Sequence, residues 1–173
     1  DLPLPVELSP DWQKHRDTAA QAIPLFSTGI EAIHWAQTPS NAWFDHRINV
    51  NRDLLESKKR QYQELFPGEL LYEEASLSRP ETVLSCGGIN VSNMSFWHQQ
   101  ALAVATSQMP YPRRVLEIGT GYGGLARLFL LGHPSCQYVL CDTAESLFFA
   151  DVFLRSCYPS SIYAYGWANF SSC

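Results

Sequence analysis

The segment V-L-E-I-G-T-G-Y-G-G, residues 115–124, constrains this chain more than any other feature. An apolar run passes directly into three alternating glycines, Gly119, Gly121 and Gly123, and L-A-R-L-F-L-L follows with helical spacing. Such a change of period reads as a short strand, a tight loop and a helix. Glycines in the loop allow a sharp strand-to-helix turn and let a ligand approach the backbone without meeting a Cβ.

The pattern then repeats. Tyr138-Val139-Leu140-Cys141 reads as a second strand, Asp142-Thr143 leads into a helix that runs to about Cys157, and Ile162 to Tyr165 reads as a third strand. Connections of this length suit parallel crossovers, so residues 111–173 are predicted to form one βαβαβ half of a doubly wound α/β sheet. A sheet that stops after its third strand would leave an apolar edge. The expectation is therefore the N-terminal portion of a larger protein, or an oligomer whose partner completes the sheet.

Residues 1–110 read as a mainly helical region. Ser9-Pro10 is a helix start closed near Pro24, Gly29–Gln37 is a second short helix, and Asn51 caps a third that ends at Pro67-Gly68. Leu54, Leu55, Tyr62, Leu65 and Phe66 are expected on one face of that third helix, with Lys58, Lys59 and Arg60 on its solvated side. The uncharged stretch 85–112 opens on Gly87-Gly88 and continues as a helix from Ser92 or Asn93 to about Met109. Met94, Trp97, Ala101, Leu102 and Ala105 form its expected buried stripe.

Composition narrows the function classes. With 12 Lys and Arg against 17 Asp and Glu, the chain has no basic stripe to neutralise phosphates, which disfavours nucleic acid as a partner. No run of about 18 apolar residues is present, so no membrane span is expected. The first ten residues, DLPLPVELSP, lack the pattern of a signal peptide, and the missing initiator Met suggests a processed or recombinant start. Five dispersed cysteines without a C-x-x-C pair read as reduced thiols of a cytoplasmic protein, Cys141 among them as a buried strand residue. The histidines are equally scattered, so no metal site is expected.

Two cofactor classes fit the loop. Gly119-x-Gly121-x-x-Gly124 satisfies the dinucleotide fingerprint of an NAD(P)-dependent oxidoreductase, in which pyrophosphate sits on the helix N-terminus. Glu117, two residues before the first glycine, would repel those phosphates, whereas the cationic amine and sulfonium of S-adenosylmethionine would welcome a carboxylate there. Asp142 lies 23 residues after Gly119, where a carboxylate can accept both ribose hydroxyls of either cofactor; the alternative is that it only caps the following helix. A third possibility is a non-catalytic module that uses the half-sheet for assembly.

VLEIGTGYGG followed by YVLCD resembles motif I and the next acidic motif of the class I S-adenosylmethionine-dependent methyltransferases. With GGINVSNMSFWHQQAL upstream and YVLCDTAESLFFADVFL downstream, residues 86–160 are most similar to the bacterial sugar O-methyltransferase group. The resemblance implies a Rossmann-like methyltransferase half-sheet behind a helical N-terminal region, S-adenosylmethionine as cofactor, and a sugar or similar hydroxylated small molecule as acceptor. Carried over by position, Glu117, Gly119, Thr120, Gly121 and Gly123 would line the methionine side, Asp142 would hold the ribose, and Thr143 would lie near the adenine or ribose edge. The family usually has Leu-Pro where this chain has Thr143-Ala144, and only Asn169 offers itself for the adenine contact made after the third strand. Trp97, Tyr111 and Tyr122 are candidates for an aromatic wall; Tyr122, within the loop, is the best placed to touch ligand, and core packing is expected of Trp97. No catalytic base is assigned. His98 is the one acid–base candidate in the helical region, weighed against a buried histidine with satisfied hydrogen bonds.

Overall fold

A computed structural model describes residues 9–37 and 51–160. Among these the chain is α/β and mostly helical, with six α-helices and two two-stranded sheets. The expected third strand at Ile162–Tyr165 and Asn169 lie outside the described residues.

Helix α1 (Pro10–Ala22) starts on Ser9, whose hydroxyl accepts from the Trp12 N–H, with proline at its first position. Helix α2 (Gly29–Ala36) is closed at its start by a reciprocal capping box between Thr28 and Glu31. Helix α3 (Arg52–Leu65) is capped by Asn51. Only Leu55 and Tyr62 of its expected apolar face are buried; Leu54 and Leu65 point to solvent. Its lysines are not simply solvated. Lys58 donates to Asn93 Oδ1 and Lys59 to the Cys86 carbonyl, tying α3 to the hairpin that follows and to the first residue of the helix after it.

That hairpin adds two strands to a region expected to be mainly helical. β1 (Val83–Cys86) pairs antiparallel with β2 (Ile89–Ser92) across Gly87-Gly88, and both glycines have positive φ, 59° and 83°. A two-residue turn with both centres left-handed matches the twist of paired strands, which is why Gly-Gly between apolar residues is a hairpin signal.

Helix α4 (Asn93–Gln108) begins where expected, capped by Ser92, but is rotated from the predicted stripe. Ser95, Phe96, Gln99, Leu102 and Ala103 are buried, while Trp97 is 63% exposed and Ala101 and Ala105 face solvent. The cause is polar. Gln99 Nε2 donates to the Tyr72 carbonyl at 2.6 Å and its Oε1 accepts the Tyr72 N–H at 3.1 Å, so a glutamine inside satisfies both backbone groups of Tyr72.

The remainder is a βαβ unit followed by a helix. β3 (Arg114–Ile118) and β4 (Gln137–Cys141) are parallel, paired Val115 with Tyr138 and Glu117 with Leu140, and joined through α5 (Gly124–Gly132); α6 (Ala144–Cys157) follows. One sheet face, carrying Val115, Tyr138 and Leu140, packs on the core, whereas Leu116, Ile118 and Val139 on the other are exposed. Cys141 is half-buried rather than buried.

The helical region and the βαβ unit share one interior. Ala19 of α1 and Ala32, Ile33 and Ala36 of α2 join Tyr122, Ala126, Phe149 and Phe153 in a single apolar cluster. Trp35 stacks on Phe149 with ring centroids 5.4 Å apart, a contact that adds about 1 kcal/mol to the burial itself. Leu102 of α4 meets Leu128 and Phe129 of α5 in a second cluster. The loop at the ends of β3 and β4 is thus braced from behind by α4, α5 and α6.

Candidate functional site at the glycine loop

Residues 119–123 leave β3 and enter α5 through three left-handed glycines: Gly119 at φ 81°, Gly121 at 55° and Gly123 at 87°. The Gly119 N–H donates to the Cys141 carbonyl at 2.9 Å, extending the parallel ladder one step beyond the strand, and the Gly123 N–H closes on the Thr120 carbonyl at 3.0 Å. Around the position a Cβ on Gly119 would take there is open space within 4 Å, so a ligand can come up to the backbone there. Gly123 is different: a Cβ would press on Leu154 at 3.2 Å, so this glycine serves the packing of α6.

Asp142 sits at the end of β4 facing the loop. Its Oδ2 accepts the Gly121 N–H at 3.0 Å and its Oδ1 the Thr143 N–H at 2.7 Å. These two backbone donors fix the carboxylate plane and occupy about half of its acceptor capacity of roughly four lone-pair sites, leaving one site on each oxygen. Helix α6 is capped not by Asp142 but by Thr143, whose hydroxyl accepts the Ser146 N–H and donates to Ser146 Oγ. Thr143 therefore spends its hydroxyl on the helix start.

Glu117 lies on the inner face of β3, half-buried. The Tyr138 hydroxyl donates to its Oε2 at 3.0 Å. Burial pushes its carboxyl up to about 7, helped by the nearby Asp142 charge and opposed by Tyr138 and the Thr120 hydroxyl. Thr120 is 4% exposed, and its Oγ1, close to that carboxylate, reaches full hydrogen-bond geometry with no protein atom. A buried hydroxyl left unpaired beside a buried carboxyl costs stability unless something else pairs with it.

Tyr122 does not line the loop's outer surface with its side chain. The ring is 3% exposed and sits edge-on to Phe153 at 5.0 Å, because an aromatic at this point fills the space between α4, α5 and α6. His98 packs against it, ring centroids 5.8 Å apart, and the pair fills the space beside Gly124, where a Cβ would lie 2.6 Å from His98 Nδ1 and 2.7 Å from Tyr122 Oη. Burial holds the imidazole down at about 4, against the pull of Glu74, so it is neutral at pH 7. Trp97 and Tyr111 are exposed, so neither serves as core.

Glu117, Gly119, Thr120, Gly121, Gly123, Asp142 and Thr143 are thus brought together at the carboxyl ends of two parallel strands, with Tyr122 and His98 packed behind them. Tyr138 was not anticipated: it becomes visible only once the register of β3 on β4 is known. Nor was Glu74, which is 7% exposed in the segment before the hairpin and accepts from the Ala75 N–H, Ser78 Oγ and Ser92 Oγ. Among the described residues no three His, Cys, Asp or Glu side chains gather as a metal site, and no helix is long and apolar enough to cross a membrane. No protein-family model, curated protein or solved structure matches the chain.

Proposed function

We propose that this chain carries the cofactor-binding part of an S-adenosylmethionine-dependent O-methyltransferase acting on a sugar or similar hydroxylated small molecule, within a Rossmann-like domain. The observation that supports it most is the pair of carboxylates flanking an open glycine loop: Glu117 on one parallel strand and Asp142 at the end of its neighbour, the second already aimed by the Gly121 N–H. A carboxylate at Glu117 opposes a pyrophosphate and suits a ligand with a cationic amine and a sulfonium, while Asp142 serves a ribose. The room beside Gly119 and the unpaired Thr120 hydroxyl fit such a group as well.

In this reading Glu117, Thr120 and the backbone of Gly119, Gly121 and Gly123 hold the methionine side, and the remaining acceptor sites of Asp142 take the ribose hydroxyls. The cofactor would supply a methyl group activated by its sulfonium. The chain's own contribution is orientation, since the acceptor oxygen must approach in line with the S–CH3 bond. His98, neutral and enclosed by Tyr122 and Gly124, is better suited to holding the loop than to taking a proton from an acceptor. The resemblance of residues 86–160 to the sugar O-methyltransferases carries the choice of acceptor class.

Calorimetric titration of the 173-residue chain with S-adenosylhomocysteine and, separately, NAD tests the proposal. Selective binding of the first is expected. Preference for NAD would move the chain to the oxidoreductases, and silence with both would favour a non-catalytic assembly module.

A further inference from the structure

We propose that Tyr138 is the positioning residue of the site: its hydroxyl holds Glu117 by one carboxylate oxygen and thereby presents the other to the cationic amine of the ligand. The inference rests on the methyl-donor reading given above and adds to it a residue outside the glycine motif.

The geometry makes Tyr138 specific for this task. In the parallel register Tyr138 stands opposite Val115 while Glu117 stands opposite Leu140, so the two side chains share the inner sheet face but are offset by two residues. Two residues along a strand span about 6.5 Å, the reach of a tyrosine ring and hydroxyl. The hydroxyl arrives 3.0 Å from Glu117 Oε2. A shorter hydroxyl side chain would not reach, and a phenylalanine would reach without a donor.

The ring has little freedom to move away. It lies 5.4 Å from the Phe129 ring and packs against the cluster of Leu102, Leu128 and Phe129, which belongs to α4 and α5. Its direction is therefore set by the core rather than by solvent. Burial and the Glu117 charge push the Tyr138 hydroxyl far up, so it stays protonated and can only donate to a carboxylate. The groups facing Glu117 are then Tyr138 as the donor, the nearby Thr120 hydroxyl, and Asp142 as a like charge. With one oxygen tethered, the other is kept from swinging towards solvent, and the entropy of ordering it is spent on folding before ligand arrives.

The test compares two probes, S-adenosylhomocysteine and 5′-methylthioadenosine, which share the adenosine portion but differ in the amine-bearing arm. Wild type and Tyr138→Phe are titrated with both, after a thermal melt establishes that the variant is folded. We expect Tyr138→Phe to weaken S-adenosylhomocysteine about tenfold, the scale of a hydrogen bond to a charged group, and to leave methylthioadenosine within about twofold. On a Glu117→Gln background the same substitution should change neither affinity further, because the two residues act as one unit. Equal weakening of both probes would mean a general structural role and overturn the inference, as would no change in either, with the methyl-donor reading intact. A wild-type chain that binds neither probe would overturn that reading itself, and this inference with it. Should Tyr138→Phe fail to fold, the same contrast between probes is read from Glu117→Gln: the amine-selective loss supports an amine-facing carboxylate, and its absence removes the role assigned to Tyr138.

Discussion

Two carboxylates, Glu74 and Glu117, are both withdrawn from water, and the molecule treats them in opposite ways. Glu74, before the hairpin, is met by three donors at 2.6 to 3.2 Å: the Ala75 N–H, Ser78 Oγ and Ser92 Oγ. Ser92 is also the cap of α4, so this carboxylate joins the segment around residues 74–78 to the hairpin and the helix. Glu117, at the glycine loop, has one hydrogen bond, from Tyr138, and a neighbouring Asp142 that opposes its charge. A fully paired carboxylate is a structural joint. One left with spare acceptor capacity beside an open backbone carries a cost that a cationic ligand would remove.

The comparison is broken most forcefully by removing the joint. Glu74→Ala leaves two hydroxyls and an N–H facing a void, and should destabilise the fold by about 3 kcal/mol in a urea titration. A loss below about 1 kcal/mol would mean that the three bonds do not hold the hairpin. Next in size, Asp142→Ala should cost about 2 kcal/mol of S-adenosylhomocysteine affinity, the range for lost hydrogen bonds to a charged group. Unchanged binding by a folded variant would take Asp142 out of the site.

The third effect concerns His98. Its imidazole is held at about 4 in the folded chain, below the ordinary 6.5, so the unfolded state binds the extra proton between those values. Stability from this group is present above 6.5 and is lost as pH falls towards 4. His98→Gln should flatten that acid limb in melts taken from pH 7 to 4. An unchanged slope would mean that the imidazole is solvated.

The smallest effect has the opposite sign to that of Glu74. Glu117 is held up to about 7, so the folded state keeps a proton that the unfolded chain releases near 4.5, and stability falls as pH rises from 4.5 through 7. Glu117→Gln should therefore stabilise the ligand-free protein at pH 8, by about 1 kcal/mol once solvent screening is allowed for, and should have little effect near pH 4. Destabilisation at pH 8 would erase the distinction between the two carboxylates.

Much of the frame was legible from local rules. Ser9-Pro10, Asn51 and Ser92 marked helix starts by their chemistry, and the glycines after V-L-E-I marked the turn from β3 to α5. Misreadings arose where a distant partner decided the outcome. Periodicity turned the Trp97 face of α4 inward because glutamine counts as a surface residue, yet Gln99 is wanted inside by the Tyr72 backbone. The β1–β2 hairpin carries a local signal in Gly87-Gly88, but its flanks, Val-Leu-Ser-Cys and Ile-Asn-Val-Ser, are too short and too polar to read as strands alone. Tyr122 reads as a ligand contact from its place in the loop; the packing of Phe153 and His98 around it has no signal among its sequence neighbours. Tyr138 and Glu74 owe their roles to strand register and to hydroxyls brought from 18 residues away, as with Ser92, and no local signal marks either.

The measurement that bears most directly on the loop is calorimetry of S-adenosylhomocysteine binding at pH 6 in two buffers of different ionisation heat, which counts the protons exchanged. A Glu117 carboxyl held near 7 is almost fully protonated at pH 6, so meeting the ligand's ammonium should expel close to one proton, and Glu117→Gln should expel none. Binding without proton release, or the same release from the variant, would show that Glu117 does not face the ligand's charge.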